Sequence, residues 1–207
     1  GTDFDRIAER VGAYVLYPGQ SRSTNRLRSW NWFREEQQSR SGGEPTQILD
    51  LVAAVCERYR IDRRRVFVAG LSAGGAMAAV LAEQAPDVFA AAGIMAGLPL
   101  HRAHNLRSAI RLMRGRSAAY DRPLMPRPAL SPSAYRDLRV TIWTGARDRV
   151  VAPENSSLLA DQFRCLLSLN EDNNVAEHDV AGVVRRWYDE RGTIRLEYRR
   201  IRGLGHA

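Results

Sequence analysis

The stretch RVFVAGLSAGGAMAAVLAEQAP, residues 65–86, constrains this chain more than any other. Apolar residues with the pattern of a buried strand run into Gly70-Leu71-Ser72-Ala73-Gly74-Gly75, and an alanine-rich run of helical character follows. A serine on such a strand-to-helix turn holds its hydroxyl above the C-terminal edge of a sheet. The turn needs small residues two positions to either side, where a side chain would strike a neighbouring strand or helix. Gly70, Gly74 and Gly75 meet that demand, and Ala73, Ala76 and Ala78 keep the joint compact. The plainer reading is a glycine-rich turn that binds phosphate at a helix N-terminus. The stretch has neither the GxGxxG nor the GK[ST] of such turns.

The remaining pattern alternates strands with helices. GAYVLYP (12–18) predicts a short buried strand stopped by Pro18, and residues 18–43 a polar surface excursion rich in Ser, Arg and Trp. EPTQILDLVAAVCERYRI (44–61) sets Ile48, Leu51, Val52, Val55 and Tyr59 at helical spacing, with Pro45 suited to a first turn. A strand is predicted at 65–70, a helix from Ala73 to about Ala85, and a strand at 89–99. Residues 100–137 are proline-rich without clear periodicity and read as a loop or small cap. A strand at 138–145, a helix at 154–169, a helix at 180–190 and an alternating strand at 193–201 complete the chain. This alternation predicts a mostly parallel, doubly wound α/β sheet flanked by helices. A length of 207 residues suits a single domain over 1–207.

Composition narrows the function classes. All 31 basic residues are Arg and the formal charge is +8, a balance that suits either an anionic partner or a solvated surface. The arginines are spread along the chain, and the densest runs, at 63–65 and 199–202, lack the interleaved aromatics of a nucleic-acid surface. No nucleic-acid partner is therefore expected. No apolar run approaches the ~20 residues that cross a bilayer, and the first ten residues, GTDFDRIAER, are polar. Cys56 and Cys165 form no CxxC or metal pattern, so no metal site is expected.

A serine hydroxyl attacks well only when a base takes its proton and an acid orients that base. On a strand-turn-helix scaffold of this kind the chain order is Ser, then Asp or Glu, then His. Asp148 fits the acid, since it lies in the loop right after the strand LRVTIWTG. Asp121 and Asp137 precede that strand, Glu154 opens a helix, and Asp179 lies in a polar segment; a turn or capping role for Asp148 itself is the plainer alternative. Among the four histidines, His101 and His104 fall in the cap-like stretch and His178 in a polar one. His206 follows the last strand in IRGLGHA, where glycines would let the loop fold back over the serine turn.

These segments, together with AYVLYPGQ, SWNWF (29–33), TGARDRVVAPEN and the terminal GLGHA, resemble the esterases of the polyhydroxybutyrate depolymerase type, related to feruloyl and acetylxylan esterases. The resemblance implies an α/β-hydrolase fold and a cofactor-free serine esterase acting on a small or polymeric carboxylic ester. It implies Ser72 as nucleophile, Asp148 as acid, His206 as base and the Ala73 N–H as one oxyanion donor. Trp30 and Trp32 would flank the substrate cleft, with aromatic packing as the alternative for both. Many such proteins are secreted. Here Ser29 stands where the family usually has a cysteine bridged to another in an early His-Gly-Cys loop, which removes that clue and leaves the cytoplasm as the alternative. Against the family pattern, residue 1 falls just before the strand that comes fourth. The expectation is thus an internal portion of a longer chain, lacking its N-terminal strands and the loop that gives the second oxyanion donor. A complete, capped sheet starting at AYVLYP would contradict it. The competing expectation for function is a non-catalytic binding protein that keeps the fold.

Overall fold

The computed structural model describes residues 3–116 and 130–206. Its centre is a six-stranded mixed sheet in the order β1-β2-β3-β6-β5-β4, formed by β1 (Phe67–Leu71), β2 (Ala91–Met95), β3 (Arg139–Gly145), β4 (Asn174–Asp179), β5 (Gly182–Tyr188) and β6 (Ile194–Ile201). Strands β1, β2, β3 and β6 run parallel, so their C-terminal ends share one edge of the sheet. The β4–β5 hairpin adds antiparallel to β6.

Helix α3 (Ala73–Gln84) packs on β1 and β2, and α5 (Pro153–Leu166) on β3 and β6. Both cover the face that carries Ile94, Ile142 and Leu196, each with no exposed surface, and Met77, Leu81, Leu159 and Phe163 complete this core. Alanine, the best helix former, is frequent in α3, which is buried almost all round, with Met77, Val80 and Leu81 as its larger core side chains. Helix α5 starts on Pro153, whose missing N–H costs nothing at that position. The helix that the periodicity of 44–61 predicts is α2 (Gly43–Arg58), which lies against α3 with Ile48 buried and Leu51 and Tyr59 exposed. On the opposite face of the sheet Phe67, Leu71 and Trp143 are exposed, and β1 and β4 are its edge strands.

Two expectations are corrected, and the cap-like stretch gains detail. The predicted strand at 12–18 pairs with no other strand among the described residues: after the short helix α1 (Phe4–Val11) the segment has no regular structure, and the Tyr14 ring lies 4.9 Å from that of Tyr59. The predicted helix at 180–190 is β5, because β-branched Val183 and Val184 and aromatic Trp187 and Tyr188 favour a pleated surface. A two-residue turn at Val180-Ala181 reverses the chain, and Gly182 at φ 144° takes a conformation that other residues avoid. The cap at 100–137 contains α4 (Leu106–Met113), closed by a capping box between Asn105 and Ser108, and a 3₁₀ turn at Pro132–Tyr135. The part of that stretch at 117–129 lies outside the described residues.

Candidate active site

Ser72 connects β1 to α3 with φ 56° and ψ −120°, a region L-residues enter at a cost of ~1–3 kcal/mol. The surroundings hold it there. Its N–H donates to the Met95 carbonyl (2.9 Å), and its carbonyl accepts the N–H of Ala76 (2.9 Å). The joint is tight at two of the three glycines that the sequence points to. A Cβ on Gly70 would lie 2.1 Å from the Gly74 carbonyl oxygen, and one on Gly75 2.7 Å from that of Met95. On Gly74 the nearest atom would be Trp30 Cδ1 at 3.9 Å, so the second glycine of the Gly-x-Ser-x-Gly motif has room to spare. Ala73, the first residue of α3, has its N–H among the helix-terminal donors that lack an intrahelical acceptor. That N–H and the positive end of the helix together suit a developing oxyanion.

Asp148 lies in the turn after β3 with its side chain fully buried. Its Oδ1 accepts the N–H groups of Val150 and Val151, each at 2.8 Å, which fixes the carboxylate plane. Its Oδ2 lies 2.8 Å from Nδ1 of His206. The two loops meet because glycine permits it: a Cβ on Gly145 would fall 2.1 Å from the Gly205 carbonyl oxygen. Arg147 then donates its N–H to the Leu204 carbonyl (2.9 Å), clamping the terminal loop over β3. With Nδ1 engaged, Nε2 is the nitrogen left to receive a proton. Ser72 and His206 are both partly exposed. No hydrogen bond joins them directly among the described residues.

The strand order sets the three residues along one edge of the sheet. Ser72 follows β1, Asp148 follows β3 and His206 follows β6, all at one edge of the sheet, whose strands lie ~4.8 Å apart. The return of residues 203–206 over Gly145 brings the imidazole from β6 to the Asp148 carboxylate after β3. Other candidates go elsewhere. His101 pairs with Glu83, His178 lies on β4, Asp137 precedes β3 and Glu154 begins α5. Asp121 lies outside the described residues.

The two tryptophans of SWNWF separate. Trp30 is half-buried beside Gly74 at the serine turn. Trp32 is buried with Ala76, Ala96, Leu98 and Val151 and meets Phe33 edge-to-face at 5.7 Å, so packing describes it and a cleft position does not. Sequence reasoning missed Gly145 and Glu44. A glycine at the end of a strand was the available signal for the first. Nothing in the local pattern distinguished Glu44, which reads as an ordinary first-turn acid. No group of three or more His, Cys, Asp or Glu side chains with metal-binding geometry occurs among the described residues, and no helix there is long and apolar enough to cross a membrane. Cys56 and Cys165 are free thiols.

Residues 1–178 match the family model Esterase PHB depolymerase, a span that holds Ser72 and Asp148 and ends before His206. Poly(3-hydroxyalkanoate) depolymerase C of Paucimonas lemoignei is 32% identical over 94% of this chain and 47% of its own length. Feruloyl esterase B of Talaromyces funiculosus is 22% identical over 99% of this chain and 59% of its own. The chain thus spans about half the length of these curated relatives. Among solved structures, an acetyl xylan esterase from Aspergillus awamori superposes with a TM-score of 0.71 at 17% identity, over 99% of this chain and 76% of that one, which establishes the shared fold. With an α/β-hydrolase sheet, a strained serine turn and most of its length matched by one family model, the chain belongs to the esterase PHB depolymerase family.

Proposed function

We propose that the protein hydrolyses carboxylic esters through an acyl-enzyme formed on Ser72. The observation that carries this is the contact of 2.8 Å between His206 Nδ1 and a fully buried Asp148 carboxylate, at the same sheet edge as a serine held at positive φ. Ser72 Oγ attacks the acyl carbon while His206 Nε2 takes its proton, and Asp148 stabilises the imidazolium. The tetrahedral oxyanion faces the Ala73 N–H. Its collapse breaks the bond to the alcohol, which leaves with the proton from His206. Water then adds to the acyl-serine as His206 takes its proton, and the carboxylic acid departs with Ser72 restored. No step calls for a metal or an organic cofactor.

The relatives' names point to a polyhydroxyalkanoate-type polyester or a related short-chain or feruloyl ester as substrate. Hydrolysis of a short p-nitrophenyl ester tests the reading. Ser72→Ala is expected to lower kcat by ~10⁴-fold or more with the fold intact. Retained turnover in that variant overturns the assignment.

A further inference from the structure

The loop that carries Trp30 has no regular structure of its own, so its placement depends on what anchors it. On one side Trp32 is sunk into a small apolar cluster. On the other, Asn31 is held by Glu44, a buried acid in the first turn of α2 with 2% of its surface exposed. Glu44 Oε2 accepts the Asn31 backbone N–H (2.8 Å) and Oε1 accepts the Asn31 side-chain amide (2.6 Å). Oε1 also accepts the Gln20 side-chain amide, which ties in the start of the excursion. The Glu44 N–H in turn donates to Gln37 Oε1.

We infer that Glu44 is a positioning residue, fixing the Trp30 indole beside the Ser72 turn through Asn31 and so setting the binding wall for the ester. This rests on Ser72 being the nucleophile. The reasoning turns on donor and acceptor counts. Three N–H groups converge on Glu44, and a carboxylate offers two oxygens and no hydrogen, so all three are satisfied. An amide in its place has one oxygen and would aim its own NH₂ at one of the donors. A burial this deep makes that mismatch costly, since the displaced donor has no water to turn to. The carboxylate is further favoured by the N-terminal end of α2, where negative charge meets the helix dipole. Asn31 is flanked in sequence by both tryptophans, so freeing it while Trp32 stays buried leaves Trp30 as the side chain that shifts. Trp30 Cδ1 lies 3.9 Å from the Cβ position of Gly74, two residues beyond Ser72, so a shift of the indole changes what an ester bound at Ser72 touches. Glu44 itself does not reach the reacting atoms.

The test is a double-mutant cycle on the full chain with p-nitrophenyl butyrate. Glu44→Gln is expected to raise KM by ~10-fold while kcat stays within ~3-fold, since the wall binds substrate and transition state alike. Trp30→Ala should do the same, and the double variant should be no worse than Trp30→Ala alone, because both changes remove one contribution. Asn31→Ala cuts the same link and serves if Glu44→Gln does not fold. A KM unchanged in the single variant, or losses that add fully in the double variant, overturn the inference. The rate at which a fluorophosphonate labels Ser72 separates this result from failure of the hydrolase reading: it should match wild type in Glu44→Gln. Should the wild type neither hydrolyse nor label, acrylamide quenching of Trp30, taken as the difference between Glu44→Gln with and without Trp30→Phe, still decides. Greater accessibility of that indole than in the parent supports positioning, and equal accessibility refutes it.

Discussion

His206 and Asp148 are 58 residues apart in the chain and 2.8 Å apart in space. That contact fixes which ring nitrogen is occupied and therefore which one is free for chemistry. Replacing the acid by an amide keeps the shape and can present an N–H where His206 needs an acceptor, favouring the wrong tautomer. Asp148→Asn is expected to lower kcat by ~10⁴-fold at neutral pH with an unchanged far-UV circular dichroism spectrum. Steady-state hydrolysis of p-nitrophenyl butyrate measures it.

The meeting of the two loops makes a second prediction. Gly145→Ala would drive a Cβ to 2.1 Å from the Gly205 carbonyl oxygen, whereas a Cβ on Gly205 has nothing within 4 Å. Gly145→Ala should therefore displace the terminal loop and cost at least ~10²-fold in kcat/KM, the scale of a misplaced catalytic group. Gly205→Ala should stay within a few-fold of wild type in the same assay.

The serine turn gives a parallel contrast. Gly75→Ala meets the Met95 carbonyl oxygen at 2.7 Å, and Gly74→Ala meets only Trp30 Cδ1 at 3.9 Å. Overpacking of this kind costs ~1–3 kcal/mol. Thermal unfolding should show Gly75→Ala clearly destabilised and Gly74→Ala near wild type.

A pH dependence follows from His101, which is half-buried at φ 56° against the fully buried Glu83, with Nε2 2.7 Å from Oε2. The hydrogen bond to Glu83 lifts the imidazole above its ordinary range, with burial opposing in part. A histidine raised on folding contributes stability fully below its unfolded value of about 6.5, and that contribution fades as pH rises through the folded value. His101→Gln should therefore lower Tm more at about pH 6 than at about pH 9, measured by circular dichroism in matched buffers.

The fold was largely legible, and so were the turns that carry Ser72, Asp148 and His206, because they depend on local signals. The glycines around Ser72, the position of Asp148 after a strand and the glycines before His206 each follow from what a turn tolerates. Longer-range relations were not legible. The segment 180–190 carries both helix-compatible charges and strand-forming Val183, Val184 and Trp187, and its pairing with β4 and β6 decided between them. Trp30 and Trp32 sit two residues apart in one short motif, and only the tertiary core leaves the first half-buried and the second buried. Gly74 fits the motif, yet Gly75 carries the steric constraint, since the motif does not say where the Met95 carbonyl lies.

The most direct measurement is covalent labelling of the native protein by a fluorophosphonate, with the modified residue found by peptide mass spectrometry. An activated serine reacts because a neighbouring base removes its proton, and an ordinary surface serine does not. One adduct on Ser72, lost in His206→Ala, is the result predicted here. An unmodified Ser72 in folded protein, or labelling unaffected by loss of His206, would contradict it.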